Sequence, residues 1–456
     1  MPDAFETPGF SSSRSSTTSG DPPSHLAPLL ASLTLHSIVS LASRFRYKDR
    51  PEEGKQDHEC NLIQPPKYGS FNLLYTVDFV DGVKWLVRIP SPGEKGRFEP
   101  SRARSLRSEV YTMTFLRHNT SIPIPEIYGF DETTDNEIGV PYVLMEFVDG
   151  FSVDELWFDD TGPTPLDIRR IRILETLAQA MSELSKFQFD KIGSLRFESN
   201  SRLLNPTTIG ELNVPDEAAD LEDMKNGVDR GPHFRKIGPF DSSYSYFEAL
   251  LSMQKTPQDQ FTIGLHQLLR MMIRCLPPSI TAEQTDRESF VFAHPDLDVQ
   301  NVLVSEDGTL AGLIDWDNVH TVPRCIGYSR YPSWITRDWD PNKYGYGKSG
   351  CRAENSPEEL EYFREIYARH MTSVLSESFD YSTKSHLFEA VWIAASSPIC
   401  LDHIVQKIFL SLSLKDREGE PLYLYDTAVD LAEDELEEDI ESSVVNGFQE
   451  FFSIGS

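Results

Sequence analysis

Basic residues are scarce in this chain, cysteines are few and scattered, and long apolar runs are missing. Each shortage closes off a class of function. Lysine and arginine number 42 against 72 aspartates and glutamates, a formal net charge of −30 over 456 residues. So acidic a surface repels phosphate backbones and anionic lipid, which argues against nucleic acid and membrane surfaces as partners. The excess acid also has a plainer use, which is to keep the protein soluble. The five cysteines (Cys60, Cys275, Cys325, Cys351 and Cys400) show neither metal-ligand spacing nor a pairing pattern. An odd, scattered set points to reduced thiols in a reducing compartment. No stretch reaches the length of apolar residues that spans a bilayer. The opening "MPDAFETPGFSSSRSSTTSG" lacks the apolar core of a secretory signal peptide. Together these shortages set the expectation of a soluble, cytoplasmic protein.

What remains suits a packed enzyme: 39% of residues are hydrophobic and 11% aromatic. The chain is too long for one simple core, so two lobes are expected. Residues 1–24 are rich in Ser, Thr, Pro and Gly and read as disordered. "LAPLLASLTLHSIVSLASRF" then carries apolar residues at helical spacing and should cover a later core. "NLLYTVDFV" and "VKWLVRIP" read as two strands joined at Asp81-Gly82, a dipeptide that tolerates positive φ. Just upstream, "PPKYGSFN" places a glycine and small polar residues at the entrance to the first strand. A helix over roughly 101–118 carries Leu106, Met113 and Leu116 on one face, and Glu109 lies on that same face. An acid buried alone is costly, so Glu109 either has a partner or reaches water at the edge of the core. "PYVLMEFVDG" reads as a short buried strand, with Gly150 marking a boundary between lobes. Beyond it come the amphipathic helix "IRRIRILETLAQAMSELSKF", a loop-rich insertion over 190–243, and a further helix, "FTIGLHQLLRMMIRCL". Residues 430–441 hold eight acids and no base, while Leu436, Ile440, Val444 and Phe448 recur every four residues. This pattern reads as one helix with a solvated acidic face.

The densest chemistry lies in "FVFAHPDLDVQNVLVSEDGTLAGLIDWDNV", which begins at Phe290. "FVFAH", "NVLVS" and "LAGLIDW" read as short strands, the last two separated by the turn Glu306-Asp307-Gly308. That geometry brings Asp296, Asn301 and Asp315 toward one end of a hairpin. Oxygens from Asn301 and Asp315 suit Mg²⁺, a hard cation that accepts few protein ligands and keeps room for water and phosphate. Asp296, set back by one loop, is placed to take a proton from an attacking hydroxyl. As purely structural residues the three would be costly polar groups amid apolar strands. Asp317 has two readings, an accessory metal ligand or a solvent-facing acid, and the second is favoured.

"HPDLDVQNVLV…LIDWD" resembles the catalytic stretch H-x-D-x-x-x-x-N followed by I-D-[WF] of the aminoglycoside phosphotransferase family, which has choline kinase-like relatives. "SEVYTMTFLRHNTSIPIPEIYGFD" and "PRCIGYSRYPSWITRDWDP" further resemble its branch common in filamentous fungi. The resemblance runs from about Leu41 to Asp340. It implies a two-lobed, protein-kinase-like α+β fold. A small antiparallel β N-lobe with its preceding helix would occupy 25–148, and a larger, mainly helical C-lobe 149–456. It also implies ATP and Mg²⁺, with Asp296 as catalytic base, His294 as organiser of its loop, and Asn301 and Asp315 holding the metal. Gly69, Ser70 and Phe71 resemble the loop that covers the nucleotide. Leu86 would roof the adenine and Met145, Glu146 and Val148 would form the hinge, although core packing is the plainer reading of Leu86 and Met145.

Two departures stand out. Kinases of this general fold hold the α- and β-phosphates with a lysine paired to a helix glutamate. Here Arg88 occupies that position, with Glu109 as its expected partner, and a planar guanidinium is not interchangeable with an ammonium. Asp298 stands where many bacterial relatives have a histidine and protein kinases a lysine. That difference counts against a protein kinase, as does the lack of a G-x-G-x-x-G loop at the first strands and of an A-P-E segment. The expected activity is transfer of the γ-phosphoryl of ATP to a hydroxyl or amine of a small-molecule acceptor. The alternative is a pseudokinase that works as a nucleotide-binding or interaction module.

Overall fold

The computed structural model describes residues 23–48, 60–69, 72–197, 206–228, 233–280, 287–341, 343–348, 352–375 and 381–454. Of the segment 1–24 read as disordered, residues 1–22 lie outside this set. Five strands, β1 (Cys60–Tyr68), β2 (Asn72–Phe79), β3 (Lys84–Pro90), β4 (Ile127–Asp131) and β5 (Tyr142–Glu146), form one antiparallel sheet in the order β1-β2-β3-β5-β4. Gly82, at φ +81°, makes the turn between β2 and β3, where a Cβ would be strained. The period-2 alternation of strands then sorts the side chains. Leu73, Tyr75 and Val77 pair in register with Ile89, Val87 and Trp85. They pack with Leu29, Ile38 and Leu41 of two helices, α1 (Ala27–Ser32) and α2 (Leu35–Arg46). The opposite face presents Leu86 and Arg88, in register with Met145 and Val143. Against it lies α3 (Pro100–Asn119), whose Leu106 and Val110 join Val143 and Met145 in a small apolar cluster.

The larger part is mainly helical, giving the two-lobed α+β arrangement that the resemblance implies. It starts with β6 (Phe151–Ser152), α4 (Val153–Leu156) and α5 (Leu166–Ser182). Residues 190–243, read as loop-rich, hold β7 (Ser194–Arg196), β8 (Thr208–Gly210), β9 (Leu212–Pro215), α6 (Glu217–Lys225) and β10 (Phe234–Ile237). β7 pairs with β8 and β9 with β10. Strands of three or four residues are too short to show an alternation in sequence. They fasten onto α3: Ser108 Oγ donates to Leu195 O (2.7 Å) and Asn213 Nδ2 to Ser105 Oγ (2.7 Å).

Then follow α7 (Ser243–Ser252), α8 (Gln260–Cys275), and four short strands: β11 (Val291–Phe292), β12 (Val302–Val304), β13 (Leu310–Leu313) and β14 (Thr321–Val322). Helices α9 (Pro357–Val374), α10 (Ser385–Ser396), α11 (Leu401–Ser411), α12 (Leu424–Ala432) and α13 (Glu438–Phe452) complete the chain. One core joins α5 and α9 to β12 and β13 around the fully buried Trp316, and a second joins α7, α8, α10, α11 and α13. α8 passes so close to α12 that a Cβ on Gly264 would lie 1.8 Å from Ala428 O. The acidic stretch is not one helix, as its spacing suggested. α12 ends at Ala432, Asp434 turns at φ +61°, and α13 begins at Glu438. The break puts Glu438, Asp439 and Glu441 in the first turn of α13, where the helix dipole favours negative charge.

Candidate active site

Asp315 sits just past the end of β13, at φ +63°, a conformation that costs most L-residues about 1 kcal/mol or more but that aspartate tolerates better. The neighbours enforce it. Ile314 N–H donates to Asn301 O (3.0 Å), and Ile314 O accepts from His294 Nε2 (2.9 Å). On the other side Trp316 is buried in the core and its Nε1 donates to Leu313 O (2.9 Å). Asp315 is left with its carboxylate accessible to solvent on one side and crowded by protein on the others. That crowding raises its carboxyl above the usual range; Arg88 opposes the shift and the charge of Asp296 adds to it. The carboxylate accepts no hydrogen bond among the described residues.

His294 is fully buried and stacks edge-on against Trp316, with ring centroids 4.5 Å apart. Desolvation holds its imidazole neutral, down to about 3. The hydrogen bonds assign the tautomer: Nε2–H donates to Ile314 O, and Nδ1 accepts from the Asp296 N–H (3.3 Å). A neutral ring so placed ties the two loops together through these two hydrogen bonds. The Asp296 side chain is exposed, and its Oδ2 accepts from Gln300 Nε2 (2.9 Å) and Asn301 Nδ2 (3.0 Å). Protein crowding and the charge of Asp298 raise its carboxyl, against Lys343 and Arg330. Asn301 is buried and spends its amide N–H groups on the Asp296 carboxylate and main-chain carbonyl (2.9 Å). Its Oδ1 therefore faces away, with no donor among the described residues.

A bare carboxylate and a bare amide oxygen are the hard donors that Mg²⁺ takes, with one or two carboxylates sufficing. No group of three or more His, Cys, Asp or Glu side chains among the described residues could hold a metal ion. The residues present fit a cation that keeps most of its ligands as water and phosphate.

Across the cleft, Arg88 is buried and ion-paired through Nη2 to Glu109 Oε1 and through Nη1 to Asp317 Oδ1. Desolvation raises the Glu109 carboxyl, Arg88 opposes that shift, and Asp315 adds to it. The position of Asp317 corrects the sequence reading, which favoured a solvent-facing acid. Besides holding Arg88, its Oδ2 accepts from Asn72 Nδ2 (2.7 Å) at the start of β2. The period of β13 carries no information about this contact, because Asp317 lies beyond the strand end on a turn with Asn318 at φ +59°.

The remaining expected residues line the sheet side. Gly69 N–H donates to Asn72 O (2.8 Å), and Ser70 and Phe71 lie outside the described residues. Leu86 and Met145 face one another on β3 and β5 and pack with Leu106 and Val110. Glu146 N–H is taken by Glu126 O (2.8 Å), and the Glu146 side chain accepts from Glu126 N–H (3.0 Å). Val148 packs so close that a Cβ on Gly312 of β13 would lie 2.6 Å from its Cγ1. Beside the Arg88 pair a recess of about 70 Å³, open to solvent, is lined by Asn72, Arg88, Glu109, Asp317, Arg102 and Phe234. Asp296, Asn301 and Asp315 are not among its walls.

Sequence reasoning missed three further members of the site. Arg330 is buried, paired with Glu389 (3.2 Å), and its Nη2 donates to His294 O (2.8 Å). Arg337 Nη2 lies 2.8 Å from both carboxylate oxygens of the buried Asp298, whose carboxyl is held low by Arg337 and Lys343 against its desolvation. Lys343 Nζ approaches the same carboxylate at 4.0 Å. Their signal was three separated basic residues in "SRYPSWITRDWDPNK", which only a known fold could place beneath the His294–Asn301 loop.

The family model described as "Phosphotransferase enzyme family" (APH) matches residues 63–326. A subtelomeric hrmA-associated cluster protein of Aspergillus fumigatus is 24% identical over 331 residues, 62% of this chain and 62% of that protein. Altered inheritance of mitochondria protein 9, mitochondrial, of Lachancea thermotolerans is 24% identical over 370 residues, covering 71% of this chain and 58% of its own length. The matches thus span less than two thirds of these relatives. A crystal structure of a thermostable mutant of an aminoglycoside phosphotransferase is 14% identical, covers 89% of this chain and 99% of that one, and has a TM-score of 0.40.

Relatives named mitochondrial, from several yeasts, overturn the expectation of a cytoplasmic protein. The physical reason is that a missing apolar core argues only against a secretory signal. Mitochondrial transit peptides are amphipathic, Ser-rich and Arg-rich and have no such core. No helix among the described residues is long and apolar enough to cross a membrane.

Proposed function

Since the chain belongs to the phosphotransferase enzyme family, we propose that it transfers the γ-phosphoryl group of ATP to a hydroxyl or amine of a small molecule. The supporting observation is the Asp296–Asn301–Asp315 cluster facing the buried Arg88–Glu109 pair. Asp296 is accessible and oriented through its neighbours, so it serves as the base that takes the acceptor's proton. His294 and Arg330 position that loop and do not touch the reactants. Asn301 Oδ1 and Asp315 would hold Mg²⁺, which neutralises phosphate charge when bound. Nucleotide would lie between residues 25–148 and 149–456, under the Gly69–Phe71 loop, with Leu86, Met145, Glu146 and Val148 around the base. Arg88 would face the phosphates, fixed by Glu109. The names of the relatives favour a mitochondrial site of action.

One observation favours the second reading, a pseudokinase. Both Nη atoms of Arg88 are engaged by carboxylates, which leaves its charge largely spent. The two readings separate in one experiment. Purified protein is incubated with Mg²⁺-ATP and a panel of hydroxyl- and amine-bearing metabolites, and ADP formation is followed. Acceptor-dependent ADP formation supports the transferase. Nucleotide binding without turnover on any acceptor favours the binding module.

A further inference from the structure

Each Nη atom of Arg88 faces a carboxylate, Nη2 that of Glu109 and Nη1 that of Asp317. One guanidinium set against two acids has no positive charge left over, and a phosphate brought beside all three would be repelled. Phosphoryl-transfer sites work by presenting cations to the phosphates. For Arg88 to meet a phosphate, one of its two acids has to let go.

The two acids are not held alike. Glu109 projects from α3, which packs on the same small sheet as Arg88, and only 6% of its side chain is exposed. Asp317 is 22% exposed and reaches Arg88 from the other part of the molecule. It rides on a short turn, in which Val319 N–H donates to Trp316 O (3.1 Å) and Asn318 stands at φ +59°. Trp316 anchors that turn in the core, while Asp317 and Asn318 line the open recess beside Arg88. The second carboxylate oxygen of Asp317, Oδ2, accepts from Asn72 Nδ2 (2.7 Å) at the start of β2. The side chain thus takes one donor from β3 and one from β2, as a pair of phosphate oxygens could.

We propose that Asp317 is an autoinhibitory latch: its carboxylate occupies Arg88 in place of a phosphate, and the nucleotide binds by displacing it. The proposal rests on the phosphotransferase reading, in which Arg88 faces the phosphates. Glu109 keeps its grip on Nη2 throughout, and Nη1 passes from the carboxylate to a phosphate oxygen. The released side chain has the recess of about 70 Å³ to move into, where Arg102 is also part of the wall. The latch accounts for the one observation that favoured a pseudokinase. An Arg88 engaged on both sides is then the resting state of a two-state contact, which the nucleotide shifts by its preference for the open one.

Calorimetry of Mg²⁺-AMP-PNP binding to the wild type, Asp317→Asn, Arg88→Lys and the double variant tests the latch. A ligand that must displace a competitor within the protein binds below its intrinsic affinity, so removing the competitor tightens binding. Asp317→Asn keeps the shape and loses the charge, and should tighten AMP-PNP by about tenfold, the worth of a charged hydrogen bond. An accessory metal ligand at this position would give the opposite sign. A lysine cannot span both acids, so the same substitution should gain little in the Arg88→Lys background. Weaker binding by Asp317→Asn overturns the proposal. So does an undiminished gain in the Arg88→Lys background, which would mark plain charge repulsion. Equal affinity in wild type and Asp317→Asn sinks the latch alone, whereas no binding by either sinks the phosphotransferase reading with it. Should Asp317→Asn not fold, Asp317→Ser replaces it with the same expected gain.

Discussion

Arg88 on β3 and Asp317, two residues past the metal-site candidate Asp315, form an ion pair that joins the small sheet to the helical part of the molecule. Glu109 grips the other Nη atom. The arginine is therefore held by a carboxylate on each side, an arrangement that a single ammonium cannot reproduce. Arg88→Ala strands a buried Glu109 and should cost about 3–5 kcal/mol in urea or guanidinium unfolding. Arg88→Lys should fall between wild type and alanine. If Arg88→Ala unfolds at the wild-type midpoint, the pair does not contribute as described.

Removing the proposed base should separate chemistry from binding. Asp296→Asn keeps the shape and the hydrogen bonds' heavy atoms but cannot take a proton. Acceptor-dependent turnover should drop by roughly 10²–10⁴, with Mg²⁺-ATP affinity unchanged by calorimetry. Loss of nucleotide binding with turnover retained would show that Asp296 has another role.

At the proposed metal site, Asp315→Asn preserves tolerance of the left-handed backbone while removing the charge. The Mg²⁺-dependent part of the thermal shift with ATP should disappear, with the melting temperature of the free protein close to wild type. Identical Mg²⁺-dependent shifts would remove Asp315 from the site.

Acid should weaken the fold through His294. The unfolded chain binds a proton at this residue below about 6.5, whereas the folded protein refuses it until about 3. Within that window the unfolded state holds more protons, so stability rises with pH by up to roughly 1.4 kcal/mol per unit from this group. His386 is likewise held down to about 3 by desolvation and adds in the same sense. His294→Gln should remove about one proton from the slope of unfolding free energy against pH between 4 and 6 (roughly the middle of the window). An unchanged slope would mean that His294 is accessible to protons in the folded state.

Gly264 is where two helices touch backbone to backbone. A Cβ at this position would stand 1.8 Å from the Ala428 carbonyl oxygen, so alanine cannot be added unless α8 and α12 move apart. Gly264→Ala should lose at least about 1–3 kcal/mol, offsetting any gain in helix propensity. A raised melting temperature would refute the close approach.

The sequence was most legible where geometry is local. Asp81-Gly82 announced its hairpin because one dipeptide makes the turn, whereas Glu109 on its apolar face left open a partner or water, and its pairing with Arg88 came from the kinase-like arrangement. The spacing from His294 to Asn301 and on to Asp315 brought together residues that one hairpin and its preceding loop do place side by side. What stayed hidden depends on distant chain. Asp317 reaches Asn72 across 245 positions, and Arg330 and Arg337 reach back beneath a loop that precedes them by more than thirty residues. No periodicity encodes such contacts. The β7–β10 pairs were unreadable for another reason, since their strands are shorter than one cycle of convincing alternation, and the break between α12 and α13 hides inside an unbroken spacing of four.

The left-handed backbone at Asp315 has a bearing on how this chain could decay. Two independent demands meet there: a torsion that few side chains accept, and a charge. If selection on the charge lapsed, the torsion would still be enforced by Ile314 and Trp316, so drift would be channelled to glycine or asparagine. Alanine, valine or glutamate would be kept out by strain alone. A copy that had given up catalysis should thus carry a specific scar at this position. The aspartate found here meets both demands at once, the torsion and the charge.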